Sequence, residues 1–253
     1  MTGWSNEIAL VTGAAGSIGG AIATHLAALG AKVAGADKMT APSAVAASAQ
    51  TRFDTVDVTC SAQVDDWVNA VTATWGPPTI AVICAGKTWA GRLVDQSDAD
   101  WRDVIAVNLD GAFFTARSAI RAMCAAGKGG RVVFIGSWAA HAPHPHLGNY
   151  STSKAGLRAL CRTLALDHAQ DGIMVNEVAP GIVDAGLSRA LFQTDPALAT
   201  RTKAAIPNGR LIHPDSVARD VAFLASPDNL HTTGTVLISD GGLSLASSMN
   251  PGR

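Results

Sequence analysis

The chain has 253 residues, 48% of them hydrophobic and 15% charged, with a formal net charge of −1. That length and apolar share suit one large α/β core and exclude a disordered chain, and the near-neutral balance offers no surface for nucleic acid. No apolar run reaches the roughly 18–20 residues of a membrane helix. The opening MTGWSNEIALVTG lacks the basic segment and cleavage site of a signal peptide. Cys60, Cys84, Cys124 and Cys161 show neither CxxC nor Cys/His metal spacing, so a cytoplasmic protein with reduced thiols and no metal is expected.

Residues 7–12 (EIALVT) read as a buried strand running into glycines. Residues 18–29 place Ile18, Ile22, Leu26 and Leu29 at helical spacing, and Gly30 stops the helix. Residues 32–37 (KVAGAD) form a second strand, the Ala- and Ser-rich 39–50 a poor helix or a loop, and 52–57 a third strand. Residues 61–75 put Val64, Trp67, Val68 and Val71 on one helix face, and 79–85 (TIAVICA) form a fourth strand. Ser97 reads as an N-cap with Asp100 three residues on, and a long helical stretch runs from there to Ala126. Residues 131–137 (RVVFIGS) are a fifth strand. Residues 150–170 are a helix striped by Leu157, Leu160, Leu164 and Ala165, and 174–179 are a sixth strand. Residues 184–212 are mixed, 214–225 helical, and 235–239 the last strand before Asp240, Gly241 and Gly242. This alternation predicts one doubly wound, Rossmann-type α/β domain over 1–253. Its central parallel sheet carries helices on both faces, and its ligands lie beyond the carboxyl ends of the strands.

The stretch VTGAAGSIGG at 11–20 joins the first strand to the first helix, where backbone N–H groups and the helix N-terminus favour a pyrophosphate. Asp37 ends the second strand, close to the spacing at which a carboxylate accepts both ribose hydroxyls and repels a 2′-phosphate. Gly16 offers no cation for such a phosphate, so the turn predicts NAD, with the neighbouring Lys38 as the one feature favouring NADP. Gly16 is expected to supply flexible backbone, and Ser17 to start the helix with its hydroxyl near the pyrophosphate or capping the first turn.

The only tyrosine, Tyr150, lies in YSTSK with Lys154 four residues on, one turn along the same helix face. A cation at that distance favours the phenolate, which suits a general acid/base. Ser137 follows the fifth strand, placed to hydrogen-bond a carbonyl or alkoxide oxygen. Asn108, in VNLDGAFF, is suited to hold a water or a backbone kink linking Lys154 to solvent.

Together these residues resemble the short-chain dehydrogenase/reductase family over nearly the whole chain. Thr12, Gly13 and Gly19 match its TGxxxGxG turn, with Ser17 in place of the middle glycine; Asp57 and Val58 resemble its adenine-binding Asp-Val pair. Its NNAG stretch appears as Ile83, Cys84, Ala85 and Gly86, lacking both asparagines. Asn108, Ser137, Tyr150 and Lys154 match its tetrad, and Asn176, Pro180 and Gly181 its NxxxPG segment. Ala185 stands where the family has a threonine, so the contact to the cofactor carboxamide is left to the backbone of Ile182 or Val183 or is lost. Gly234, Asp240, Gly241 and Gly242 resemble its late GxxxxxDGG.

The resemblance implies reversible hydride transfer between NAD(H) and an alcohol/carbonyl pair. Tyr150 transfers the proton, Ser137 steadies the substrate oxygen, Lys154 tunes the tyrosine and holds the nicotinamide ribose, and Asn108 anchors a proton relay. Gly13, Gly16, Ser17, Ile18, Gly19, Asp37, Asp57, Val58, Ala85, Gly86, Pro180, Gly181, Ile182 and Val183 line the cofactor. It also implies a homotetramer, or a dimer, built through the long helices that carry Asn108 and Tyr150.

Between Ser137 and Tyr150 runs WAAHAPHPHLGNY, which places Trp138, His141, His144 and His146 where substrate contacts or a plain surface loop are expected. Trp89 is a pocket wall or lid packing. Residues 184–212 form a flap with Arg189, Arg201, Lys203 and Arg210, favouring an anionic or hydroxyl-rich substrate unless they are a solvated face. A sugar, polyol or small hydroxy acid is the first expectation. An NADPH-dependent ketoacyl or carbonyl reductase is the alternative. A dinucleotide-sensing regulator is disfavoured, because it has no need of the intact tetrad.

Overall fold

A computed structural model describes residues 3–39 and 50–247. The expected helix or loop at 39–50 falls almost wholly outside them. Seven strands form one sheet in the order β3-β2-β1-β4-β5-β6-β7, every neighbouring pair parallel. They are β1 (Ile8–Thr12), β2 (Lys32–Asp37), β3 (Thr51–Thr55), β4 (Ile80–Ile83), β5 (Gly130–Ile135), β6 (Ile173–Pro180) and β7 (Val236–Ser239). The helices are α1 (Ser17–Ala28), α2 (Ser61–Trp75), α3 (Asp98–Ile105), α4 (Gly111–Ala126), α5 (Gly148–Asp167), α6 (Gly186–Thr194), α7 (Pro196–Ala205), α8 (Pro214–Leu224) and the short α9 (Leu243–Ser247). None is long and apolar enough among the described residues to cross a membrane.

The sheet buries both faces, which is why its strands are apolar runs rather than alternations. On one face Val64, Trp67 and Val68 of α2, Ala116 and Ile120 of α4, and Leu157 of α5 pack on Leu10, Ile83, Phe134 and Val175. On the other, Ile22 and Leu26 of α1 and Val217 and Val221 of α8 pack on Val11, Val33, Val133 and Val178. Strand order reverses between β1 and β4, so the crevice for a ligand opens beyond the carboxyl ends of those two strands.

Three differences from the sequence reading matter for the site. The expected continuous helix to Ala126 is broken by a single π-helical turn, Ala106–Asp110, between α3 and α4. Helix α5 begins at Gly148, so Tyr150 and Lys154 lie inside its first two turns rather than at its start. Strand β3 stops at Thr55, because Asp57 belongs to a turn: its carboxylate accepts from Thr59 N at 3.0 Å and Thr59 Oγ1 at 2.7 Å. The Ser97 cap is present, its hydroxyl accepting from Asp100 N at 3.1 Å.

Candidate active site

The glycine turn follows β1 directly. Thr12 Oγ1 accepts from the amides of Cys84 and Ala85 at 3.1 and 3.3 Å, tying the turn to the end of β4. Gly13 carries the turn's positive φ, +69°, and a Cβ there would lie 2.9 Å from Ala85 Cα. A Cβ on Gly19 would overlap the Gly13 carbonyl oxygen. The flexible position is therefore Gly13 and not Gly16. Gly16 is the N-cap of α1, with φ −77° and ψ 162°, angles any residue adopts, although a Cβ there would lie 3.2 Å from the Gly13 carbonyl oxygen. Ser17 does not cap the helix either; it is the first helical residue, exposed and without a side-chain cap bond. The first cap bond runs from Gly20 N to Gly16 O at 2.8 Å, which leaves the amides of Ser17, Ile18 and Gly19 at the helix end free for an anion.

Asp37 sits half-buried at the end of β2 and braces this turn, accepting from Ala15 N and Met39 N at 3.1 Å each. Lys38 turns away to Asp57, at 2.9 Å. The Thr59 hydroxyl first, and Lys38 second, pull the Asp57 carboxyl down to about 2. Lys38 stays 78% exposed in this surface pair. Val58 is buried behind it, its Cγ2 packed where a Cβ on Gly111 would lie.

At the end of β4, Gly86 lies over both the π turn and α5: a Cβ there would lie 3.5 Å from Asn108 Oδ1 and 3.5 Å from Lys154 Nζ. Asn108 is fully buried. Its Oδ1 accepts from Lys87 N at 2.8 Å, while its amide hydrogens go to Lys87 O and Ser153 Oγ, each at 2.9 Å. Ser153 Oγ in turn donates to Tyr150 O at 2.8 Å. The Asn108 side chain thereby clamps the loop after β4 to the Tyr150 turn. Nothing in the sequence motif singled out Ser153.

Lys154 is 4% exposed, its ammonium 5.7 Å from the centre of the Tyr150 ring and donating to Ile135 O at 2.7 Å. That bond ties α5 to the last residue of β5. Two residues on, buried Ser137 accepts from Ala139 N at 3.1 Å, which leaves its own hydroxyl hydrogen to donate. Below Ser137 lies a pair the sequence reading passed over. Glu177 of β6, fully buried, takes two bonds of 2.9 Å from Arg158 of α5. The signal was legible: a carboxylate inside the apolar strand IMVNEVAP needs a buried cation.

At the end of β6, Gly181 N donates to Ser239 O at 2.9 Å. The carbonyls of Ile182 and Val183 accept from Ile212 N at 3.0 Å and Ala185 N at 2.8 Å. Any carboxamide contact in this segment falls to what these two residues leave unused.

The loop after Ser137 meets the loop after β4. Gly91 N donates to His146 O at 2.9 Å, and His146 takes a left-handed φ of +65°, uncommon off glycine. The Trp89 ring folds over Gly91, and Trp138 meets His144 edge-on at 6.0 Å. His141, His144 and His146 are exposed, with His144 Nδ1 donating to Pro145 O at 2.8 Å. The flap is less basic than its composition: Arg189 pairs with Asp184 at 3.2 Å and Arg201 with Asp195 at 3.5 Å. Away from the crevice, folding brings Cys124 beside His168 and Asp171, their donor atoms within 4.8 Å of one another, a grouping invisible to linear spacing. His168 Nδ1 and Asp171 Oδ2 are 2.8 Å apart there, a hydrogen bond just past the end of α5.

The chain is similar to known proteins over nearly its whole length. A family model described as enoyl-(acyl carrier protein) reductase matches residues 13–244. The 3-oxoacyl-[acyl-carrier-protein] reductase FabG of Escherichia coli K12 is 36% identical over 247 residues, covering 95% of this chain and 98% of that one. The (3R)-3-hydroxyacyl-CoA dehydrogenase of Canis lupus familiaris is 34% identical over 253 residues, covering 94% and 96%. A solved structure from Agrobacterium tumefaciens, assigned as a 2-deoxy-d-gluconate 3-dehydrogenase and holding NADP, superposes with a TM-score of 0.87 at 31% identity, covering 96% and 99%. With its parallel sheet, its glycine turn and these relatives over nearly their whole length, the chain belongs to the short-chain dehydrogenase/reductase family of oxidoreductases.

Proposed function

We propose that this protein interconverts a 3-oxoacyl thioester and the matching 3-hydroxyacyl thioester, using NAD(H). The observation that carries the substrate is the pair of relatives above, one reducing a 3-oxoacyl and one oxidising a 3-hydroxyacyl thioester by their names, both aligned along nearly the full chain. It displaces the sugar or polyol expected from polar loops. Two of the four flap cations are neutralised by neighbouring carboxylates, and the three loop histidines stand in solvent, so neither feature argues for a hydroxyl-rich ligand. A sugar-acid substrate remains the second reading, favoured by the similarity to the gluconate-type enzyme.

The chain's own residues fit a dinucleotide. The free amides of Ser17, Ile18 and Gly19 at the start of α1 suit a pyrophosphate, and the Gly13 turn that leads into them packs too closely on Ala85 for a side chain. Asp37 at the end of β2 favours unphosphorylated ribose, and Lys38 pairs with Asp57 at the surface. A nicotinamide held beside Tyr150 and Lys154 would supply the hydride for C3 of the oxoacyl group. Tyr150 gives its phenolic proton to the C3 oxygen, and takes it back in the oxidative direction. The Ser137 hydroxyl donates to that same oxygen, stabilising the charge that develops there. Lys154 places its Nζ 5.7 Å from the centre of the Tyr150 ring and, through its bond to Ile135 O, holds this turn of α5 on the end of β5. Asn108 and Ser153 hold the Tyr150 turn in register with the loop after β4.

Steady-state kcat/KM for acetoacetyl-CoA with NADH and with NADPH, and for gluconate with NAD and with NADP, tests both halves. The reading expects the thioester to win with NADH as the better reductant. Turnover confined to gluconate overturns the substrate assignment, and a preference for NADPH with Asp37 intact overturns the cofactor assignment.

A further inference from the structure

Glu177 is the anomaly of the sheet. On β6 it faces the same way as Ile173 and Val175, into the apolar layer beneath α5, yet it is fully buried and charged. Arg158 meets it from α5, with Nε on Oε2 and Nη2 on Oε1, each at 2.9 Å. Burying such a pair is on average no more stabilising than an apolar pair of the same volume, so packing alone does not account for it. What sits on the pair is more telling. A Cβ on Gly136 would overlap Glu177 Oε1, so the chain can lie this close to the carboxylate only as glycine. The next residue is Ser137, whose carbonyl accepts from Arg158 Nη2 at 3.3 Å. Arg158 also lies four residues after Lys154 and eight after Tyr150, on the same helix face. The ion pair therefore touches the backbone of one tetrad residue from below and shares a rigid helix with two others.

We propose that Arg158 and Glu177 are positioning residues for Ser137: the buried ion pair fixes the Gly136 and Ser137 peptides so that the Ser137 hydroxyl is held at the distance from Tyr150 that the reacting oxygen requires. The inference rests on the reading of Ser137 as the oxygen-binding hydroxyl. The bond from Lys154 to Ile135 O fixes the strand end from one side, and the Arg158 bond fixes it from the other, with Gly136 between them. Both cations reach it from α5, so a shift of that helix would carry the tyrosine and the serine together. Loss of the ion pair uncouples them.

The test is a double-mutant cycle in turnover, with 3-oxoacyl thioester reduction followed in the full-length protein. Ser137→Ala is expected to lower kcat by roughly 10²–10³-fold. Glu177→Gln, which keeps the shape but removes the charge and leaves one oxygen to accept from Arg158, is expected to lower kcat about tenfold with KM for the dinucleotide unchanged. In the Ser137→Ala background, the same Glu177→Gln change is expected to cost less than about twofold, because the group it positions is gone. Equal losses in both backgrounds mean a general structural role and overturn the inference, as does wild-type kcat in Glu177→Gln while Ser137→Ala is impaired. Wild-type turnover in Ser137→Ala overturns the reading of Ser137 itself, and the inference with it. If Glu177→Gln does not accumulate as folded protein, Arg158→Lys keeps the charge, loses the fork and the bond to Ser137, and carries the same expectations.

Discussion

Gly13 shows how much of the site hangs on single positions. Its φ of +69° and the 2.9 Å gap to Ala85 leave no room for a side chain, so Gly13→Ala has to distort the turn or push β4 away. A loss of about 1–3 kcal/mol of stability is expected, together with weaker dinucleotide binding, read by thermal melting with and without NADH. The same position marks a limit of reading residues from a motif. Spacing alone identified the turn, but Gly16 took the conformational role that belongs to Gly13, because a glycine pattern does not say which member carries the positive φ. The place of Asp37 at the end of the second strand was legible; its bond to Ala15 N was not, because that bond spans 22 residues.

At the scale of elements, the π turn Ala106–Asp110 is held open by Asn108, whose side chain makes three bonds in a fully buried position. Asn108→Ala leaves the Lys87 amide without its acceptor. It is expected to cost about 1–3 kcal/mol of stability and to lower kcat by releasing the loop after β4; chemical unfolding and turnover measured side by side check this. The helical periodicity of 98–126 could not reveal the extra residue, because one π turn changes the phase without breaking the apolar pattern. The turn after β3 gives a pH signature. The Asp57 carboxyl titrates at about 2 in the folded state, below its ordinary value, so its stabilisation is complete above the unfolded value near 4 and is lost as pH falls through 2. Melting temperatures of wild type and Asp57→Asn should therefore converge across that interval, and a constant gap would show that the turn does not depend on ionisation.

Over the whole molecule, the alternation of strands and helices and the parallel sheet were legible, because apolar runs and helical periodicity are local; the order β3-β2-β1-β4-β5-β6-β7 was not, because strands far apart in sequence pair. The buried pair beneath Ser137, the pairing of Lys38 and the grouping of Cys124 with His168 depend on contacts between distant segments, which no window of sequence contains. Exposed Phe113 and Leu166 on α4 and α5 are suited to meet a second copy, and light scattering is expected to show a dimer or tetramer; a monomer at micromolar concentration would exclude assembly through these helices. The central claim is that one phenol moves the proton. Since Tyr150 is the only tyrosine, Tyr150→Phe removes that group and nothing else of its kind. The direct measurement is its turnover of a 3-oxoacyl thioester beside a fluorescence titration with NADH. The account predicts a loss of at least about 10²-fold in kcat with dinucleotide affinity retained; turnover near that of wild type would contradict it.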